Sequence, residues 1–523
     1  MPAARSAGAT SHAPLDWHQI NWHAVHRHVR RLQARIVPAT QVGRWGTVHA
    51  LPQLLTHSCS GTALAVRRVT ENHGNRTPGV DGETWSTPAQ KTMAIDALRR
   101  RGYHPRPLRR VYIPTSNGTR RPLGIPTMHD RALQALSLLA LDPVAETTAE
   151  PNSYGLRPAR SPADALGPCY LILHKSHAPA WICEGDIQAC LDRISHAWLL
   201  THVPMDKVIL RTWLKAGDLE RNTLHPTDSG TPQGGIIAPV LAHLALDGLA
   251  RCLQTALPQH GRGRHAQINL VRYADDFLMT GSSAALLATE VRPLGEQFLR
   301  ERGLGLSPEK TTITHSADGG DFLGHTMRKY HGYLRLTPAK QRVQRLLTKV
   351  RRLMRHHTAT PAGVRIGLLN PILRGWALYD RHGRSGPTCH RLDRAVCNAL
   401  RHWAKRRHRH KSARWLAARY LRPHQGRQSV FAGEVEEHRC DLLHTAQVRF
   451  KRPGKIQQAA NPYDPAWELY CEKRLSDTLL QHLDGQRGIR MLWQAQQGRC
   501  PVCHTLITEE TGWHNHHIRH YRV

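Results

Sequence analysis

Residues 272–277 read RYADDF, with two adjacent aspartates between the apolar runs INLV and LMT. Apolar runs on both sides of a short polar step are typical of a β-hairpin. Because Asp favours turns, the pair is compatible with an ordinary hairpin turn. Burying an unpaired carboxylate is costly, however, and metal coordination is a usual remedy. The stretch therefore predicts either a simple turn or a pair of metal ligands at the end of a buried hairpin.

A third aspartate, Asp186, lies near the end of the apolar strand WICEGDI at 181–187. If this strand lies beside the hairpin, Asp186 and Asp275 face each other across a small gap, with Asp276 adjacent. Such a set can hold two divalent cations about 3.5 to 4 Å apart for in-line phosphoryl transfer. Hard oxygen ligands favour Mg²⁺. Three aspartates in this arrangement are typical of the palm of nucleic-acid polymerases, although Asp186 alone could simply end a strand.

The composition indicates an acidic partner. The 523 residues include 73 Lys and Arg against 39 Asp and Glu, for a net charge of +34 and a pI near 10.6. Nucleic acid is the leading candidate for relieving this self-repulsion. No apolar run is long enough to span a membrane, and the N-terminus lacks a signal-peptide core. We expect several domains in a cytoplasmic, nucleoid-associated protein with no membrane partner, and reduced thiols among its 11 scattered cysteines.

Apolar spacing separates regions along the chain. Residues 15–75 have helical spacing, and 93–330 mix helices at 128–147 and 195–214 with the strands VRYADDFLMT and DFLGHTM. This mixture predicts an α+β layout. From 338 to about 420 the pattern is helical and strongly basic, and the stretch that follows to about 485 has no clear period.

Eight blocks occur in order along the chain: TPGVDG (77–82), RRPLGIPTMHDRALQAL (120–136), NSYGLRP (152–158), GDIQACLDRI (185–194), GTPQGGIIAP (230–239), RYADDF (272–277), LSPEKT (306–311) and DFLGH (321–325). In this order the chain closely resembles the group II intron-encoded reverse transcriptases, also called maturases. The resemblance implies an α+β right-hand polymerase fold with fingers, palm and an α-helical thumb. The implied domains are a helical N-terminal extension (1–92), reverse transcriptase fingers and palm (93–335), the thumb or X domain (336–425), a DNA-binding region (426–488) and an incomplete HNH-like Cys/His segment (489–523).

The resemblance also assigns site residues. The implied catalytic Mg²⁺ ligands are Asp186, Asp275 and Asp276. Arg121 would contact the incoming triphosphate, and Gln233 and Gly234 would shape the wall of the nucleotide site. Lys310 lies in a block that packs near the primer strand in the family, with a solvated loop lysine as the alternative.

The basic helices after 338 correspond to the part of the family that binds intron RNA. The residues predicted to contact nucleic acid there are Arg374, Arg401, Lys405, Arg406, Arg407, Arg409 and Lys411. They are interleaved with Trp376, Trp403 and Trp415, a mixture able to neutralise phosphates and pack on sugars or bases. Any single arginine could belong to a solvated helix face, so the prediction rests on the cluster.

Several positions depart from the family pattern. Thr115 stands where a lysine is usual, and Leu191 replaces the aromatic residue that backs the nucleotide sugar. The usual Ser-Pro and Asn of the QGG block appear here as Ala238, Pro239 and His243. The loss of a point charge at Thr115 predicts weaker triphosphate binding.

The segment from Cys500 onward begins like an HNH endonuclease, with Cys500, Cys503, His516 and His517 matching its first half. Two thiolates could hold Zn²⁺ with two more ligands, for which His504, His514 or His520 are available. We expect a zinc-binding remnant without strand-cutting activity, with an active nuclease as the alternative.

The implied function is that of an RNA-directed DNA polymerase and maturase in a ribonucleoprotein. It would bind its group II intron RNA, promote splicing and reverse splicing into target DNA, and use dNTPs in target-primed reverse transcription. One alternative is an RNA-binding splicing cofactor with little or no polymerase activity, which Thr115 and Leu191 favour. Another is a defence-system reverse transcriptase, which the long thumb and HNH-like tail disfavour.

Overall fold

The computed structural model of the protein describes residues 16–72, 74–114, 118, 120–175, 177–231, 234–257, 267–356, 359–424, 426–436, 438–483, 487–501, 504 and 506–508. Within these ranges, no helix combines the length and the apolar character that crossing a membrane would require.

Among the described residues, four α-helices come first, and helices and strands are mixed in the part of the chain that follows. The helices are α1 (Trp22–Gln41), α2 (Trp45–His57), α3 (Cys59–Glu71), α4 (Pro88–Ala97), α5 (Met128–Thr148), α6 (Pro162–Leu173), α7 (Cys190–Arg193), α8 (His196–His202), α9 (Lys207–Leu214), α10 (Ala238–Leu246), α11 (Leu249–Ala256), α12 (Ala284–Leu286), α13 (Arg292–Arg300), α14 (Lys340–His356), α15 (Ala362–Asp380), α16 (Gly386–Arg407), α17 (Ala413–Tyr420), α18 (Glu468–His482) and α19 (Arg487–Ala495). The strands are β1 (Leu108–Pro114), β2 (Arg120–Ile125), β3 (Trp181–Asp186), β4 (Asp218–Glu220), β5 (Thr223–His225), β6 (Asn269–Tyr273), β7 (Asp276–Gly281), β8 (Thr312–His315), β9 (Gly320–Phe322), β10 (His325–Tyr330), β11 (Tyr333–Pro338), β12 (Leu421–His424), β13 (Arg427–Val435) and β14 (His438–Asp441).

The N-terminal helices pack around α5, which contacts α1, α2 and α3. The side chain of Thr127 accepts a hydrogen bond from the Asp130 amide and so caps the first turn of α5. Apolar residues cover most of the circumference of α5, and Leu133 and Leu136 are almost fully buried. A helix that is apolar on nearly all sides belongs in a core. The helices predicted in 15–75 and at 128–147 are therefore confirmed.

A central antiparallel sheet has the strand order β6-β7-β3-β8. Successive residues of β7 point to opposite faces, so Phe277 joins the core beneath the N-terminal helices while Leu278 joins a second core that includes residues of α6. Both faces are buried, which explains the nearly continuous apolar run after the two aspartates. A second sheet has the strand order β2-β1-β4-β5. Its strand β2 carries Arg121.

The basic region forms a helical unit, which we define as α14–α17 together with β12–β14. Its core includes Val430 and Phe431 of β13 and Leu442, packed with the apolar side chains of the helices. Strands β12 and β13 form an antiparallel hairpin that spans the domain boundary predicted at residue 425. The strands of this hairpin thus pack with the predicted thumb.

Three local expectations from the sequence are wrong. The helix predicted at 195–214 is interrupted between α8 and α9, where Asp206 caps the second helix by accepting from the Val208 amide. The strand predicted from DFLGHTM is two strands, because Phe322 of β9 pairs with His325 of β10 across a two-residue turn. Trp376 and Trp403 are only 6% and 7% exposed, so they pack in the core of the helical unit and do not present a base-stacking face.

Candidate active site

The RYADDF stretch forms the β6–β7 hairpin, in which Tyr273 pairs with Asp276. Ala274 and Asp275 make the two-residue turn, and Ala274 has a φ of 56°, as tight hairpin turns require. The strands are buried, whereas Asp275 and Asp276 are exposed at the end of the hairpin. The turn and the carboxylate site are therefore the same feature.

The sheet brings the three predicted aspartates to one end. Asp186 of β3 is the register partner of Asp276 of β7, and the Ile187 amide donates to the Asp275 carbonyl at 3.2 Å. Desolvation by the surrounding protein raises the pKa of Asp275. The pKa of Asp276 rises to about 6, first through desolvation and then through the charges of Asp275 and Asp186. The shifts indicate that the carboxylates lie close enough to repel one another.

Lys310 approaches these carboxylates from the LSPEKT block. Its Nζ donates to Asp186 Oδ2 at 2.5 Å, and this hydrogen bond raises the pKa of Lys310. The lysine side chain is 68% exposed. Lys310 therefore contacts the acidic site and supplies positive charge there.

The predicted metal cage is not preformed. In the part of the chain that the structure describes, no three His, Cys, Asp or Glu side chains are arranged to hold a metal ion. Lys310 forms an ion pair with Asp186 at this site. The donor chemistry of the three carboxylates nevertheless fits Mg²⁺, which prefers hard oxygen ligands.

Two walls of the site come from distant blocks. Arg121 of β2 is exposed, and its charge lowers the pKa of Asp275, opposing the effect of desolvation. Gly234 has a φ of 107°, and a Cβ there would lie 2.6 Å from the Gly124 carbonyl of the same strand. Arg121 thus lies close enough to influence Asp275, and Gly234 packs against β2. Their roles in nucleotide binding stay predictions. Gln233 and Thr115 lie outside the described residues.

The NSYGLRP block supports the turn from behind. A Cβ on Gly155 would lie 2.2 Å from the Ala274 amide nitrogen, so no larger residue fits there without moving the turn. The Tyr154 amide also donates to the Arg272 carbonyl at 2.9 Å. The block therefore fixes the position of the two hairpin aspartates.

The acidic site opens into a cleft of about 290 Å³ whose lining includes Asp186, Asp276 and Lys310. Two features of this cleft were not predicted. Glu184 lies on it, with a pKa raised to about 7 by burial and by Asp321. Its spacing of two from Asp186 along β3 was the available signal. The turn at Leu323 and Gly324, which belongs to the DFLGH block, forms another part of the lining.

Two departures from the family pattern have different surroundings. Leu191 is half-buried, and its carbonyl accepts from the Thr231 amide at 2.6 Å in the wall that leads to Gly234. His243 is 1% exposed, and burial together with Arg272 and Arg157 lowers its pKa well below the usual range. His243 is therefore a neutral core residue beneath the hairpin.

The predicted nucleic-acid contacts divide into two places. The exposed residues are Arg401, Lys405, Arg406, Arg407, Arg409 and Lys411. Arg406 and Arg407 line a groove of about 510 Å³ with Arg351 and Arg355 of α14. Arg374 lies elsewhere, in a cleft of about 640 Å³. Neither 340–356 nor 401–411 contains an Asp or Glu, and within the described chain Arg342 is the residue of α14 that forms an ion pair.

The predicted zinc pair is described only in part. Cys500 carries a free, half-buried thiol, and the His504 amide donates to its carbonyl at 2.8 Å. Cys503 lies outside the described residues, as do the other matching or candidate residues His514, His516, His517 and His520. A zinc site there stays a prediction.

Comparisons with known proteins agree with the order of the blocks. Family models match at 17–98 (N-terminal domain of reverse transcriptase), 113–327 (reverse transcriptase, RNA-dependent DNA polymerase) and 343–421 (group II intron, maturase-specific domain). Protein YkfC of Escherichia coli is 32% identical over 52% of this chain and 82% of its own length. Group II intron-encoded protein LtrA of Lactococcus lactis is 29% identical over 51% of this chain and 54% of its own length. A 91 kDa protein in the cob intron of Schizosaccharomyces pombe is 26% identical over 60% of this chain and 49% of its own length. The matched regions thus span about half the length of the last two relatives.

Proposed function

The chain belongs to the family of group II intron-encoded reverse transcriptases and maturases, and we propose that it binds a structured intron RNA, promotes its splicing and copies RNA into DNA. The proposed function also includes reverse splicing of the RNA into target DNA and target-primed DNA synthesis. We assign residues 426–488 a part in binding that DNA.

The observation that carries the polymerase proposal is the convergence of three aspartates and one arginine at the end of the central sheet. Asp186, Asp275 and Asp276 would hold Mg²⁺, which when bound promotes attack by a primer hydroxyl and stabilises the leaving pyrophosphate. Arg121 is close enough to lower the pKa of Asp275 and is placed to balance the charge of a triphosphate. Gly234 lets the nucleotide-site wall lie directly against β2.

The RNA-binding proposal rests on uncompensated charge. Helix α14 and residues 401–411 have no acidic neighbours within their own sequence, whereas arginines elsewhere pair with acids, as Arg157 does with Glu146 at 2.8 Å. Unpaired basic side chains on an exposed surface attract phosphates and release their counterions on binding. The groove between α14 and α16 concentrates such side chains.

The alternative is an RNA-binding splicing cofactor with weak or no polymerase activity. Leu191 favours it, because an aliphatic side chain stands in the wall where the family has an aromatic one. The closeness of Arg121 to the aspartates argues against this alternative. The two candidates differ in whether the protein extends a DNA primer on an RNA template.

The test is primer extension by purified protein with Mg²⁺ and dNTPs, alongside intron-RNA binding and splicing assays. We expect Asp275→Ala to abolish extension and leave RNA binding nearly unchanged, because the groove lined by Arg406 and Arg407 contains none of the aspartates. Asp318→Ala, which removes an exposed loop carboxylate, serves as the matched control and should retain extension. A wild-type protein that assists splicing but extends no primer would support the cofactor alternative.

A further inference from the structure

The turn of Leu323 and Gly324, between β9 and β10, lines the same cleft as Asp186 and Asp276. Leu323 has a φ of 49°, in the left-handed region that bulky side chains rarely adopt. Such a backbone conformation persists only where the surrounding structure holds it. The turn is therefore a strained element at the edge of the predicted catalytic site.

Tyr379, near the end of helix α15, holds this turn from outside the sheet. Its hydroxyl donates to the Leu323 carbonyl at 2.9 Å, and His325 Nδ1 lies 3.2 Å from the same oxygen. The Tyr379 ring stacks on His325 with centroids 5.6 Å apart. The guanidinium of Arg342 lies over the Tyr379 ring, 3.8 Å from the ring centroid.

A buried carboxylate fixes the same contact. Asp380 is fully buried, and its Oδ2 accepts from Arg342 Nε at 3.0 Å, while its Oδ1 lies 3.4 Å from His325 Nε2. The Arg384 amide also donates to the Leu336 carbonyl of β11 at 2.6 Å. The helical unit and the β9–β11 sheet are thus joined at the residues that hold the turn.

We propose that Tyr379 is a positioning residue, whose hydroxyl sets the Leu323 turn so that a nucleic-acid strand entering the cleft lies correctly beside the aspartates. The proposal rests on the proposed polymerase function. It connects the RNA-binding helical unit to the turn at the catalytic site through a hydrogen bond between residues 56 positions apart. A loosened turn should weaken productive binding of primer and template more than it slows chemistry in the complex once formed.

Tyr379→Phe tests this with the least disturbance, because it removes one hydroxyl and keeps the ring contacts with His325 and Arg342. Loss of one hydrogen bond predicts a two- to tenfold rise in the KM for primer–template, with kcat and the melting temperature nearly unchanged. Tyr333→Phe is the matched control, since Tyr333 lies at the far end of the β10–β11 hairpin and is 77% exposed. The control should have the wild-type KM.

A second variant separates positioning from simple packing. Asn tolerates the left-handed region better than Leu, so Leu323→Asn combined with Tyr379→Phe should bring the KM back toward the wild-type value. An unchanged KM in Tyr379→Phe, or a parallel loss of kcat and melting temperature without rescue, would overturn the positioning role. Absence of extension by the wild-type protein would instead overturn the proposed polymerase function.

Discussion

Removing the charge of three exposed arginines should change how salt affects RNA binding. The perturbation is the triple replacement by glutamine of Arg406, Arg407 and Arg409, which are exposed and follow one another near the end of α16. Arg406 and Arg407 line the groove between α14 and α16, and their stretch contains no acid to pair with. We therefore expect these arginines to engage phosphates of a bound RNA.

The magnitude follows from counterion release. Each neutralised phosphate contributes about 0.7 to 0.9 to the slope of log K against log salt, so three lost contacts should flatten the slope by about 2 to 3. Extrapolated from 1 M to 0.1 M salt, this corresponds to a loss of roughly 100- to 500-fold in affinity, or about 3 kcal/mol. Arg407 also donates to the Ala359 carbonyl at 2.9 Å, so the melting temperature must be measured alongside.

The assay is filter binding of intron RNA across a series of salt concentrations. A matched control removes the same amount of charge from arginines that already pair with an acid four residues away. These are Arg67, Arg251 and Arg292, replaced together by glutamine. Equal flattening in both triple variants would show that net charge alone governs binding, and an unchanged slope in the first would place the RNA-binding face elsewhere.

Other replacements test separate features. Gly155→Ala should destabilise the protein by about 1 to 3 kcal/mol and impair extension, because the added Cβ meets backbone at 2.2 Å; Gly375→Ala, whose Cβ would meet nothing within 4 Å, should do neither in denaturant unfolding and extension assays. Thr115→Lys should lower the KM for dNTPs roughly tenfold, for about 1.4 kcal/mol of recovered interaction; steady-state kinetics that show no change would mean another cation acts there. Trp403→Ala should cost about 3 to 5 kcal/mol of stability, whereas Trp415→Ala, which is half-buried, should mainly weaken RNA binding, and calorimetry with filter binding distinguishes the two.

The local patterns of the sequence determined the main elements and the acidic site. The apolar runs around RYADDF predicted a hairpin, and β6 and β7 form one. The apolar strand before Asp186 pairs beside it, as the metal-ligand hypothesis required. These predictions succeeded because side-chain periodicity and turn preference act over a few residues and are visible in the sequence itself.

Local patterns failed where a break or a burial depended on packing. The apolar spacing of 195–214 did not reveal the interruption between α8 and α9. The tryptophans among the basic residues suggested an exposed stacking surface, yet Trp376 and Trp403 are in the core. A tryptophan beside an arginine has the same sequence pattern whether it is exposed or buried. Only packing against the neighbouring helices decides whether its side chain faces the core or the solvent.

Only the tertiary structure decided how the site is supported. Lys310 meets Asp186 from 124 positions away, Gly155 presses its backbone against the hairpin turn, and Tyr379 reaches Leu323 across the boundary between sheet and helical unit. Contacts of this kind depend on how whole layers dock, and the free energy that fixes them comes from burial of many residues at once. The sequence determined which chemical groups the protein carries, and the packing of sheet against helices determined which of those groups touch.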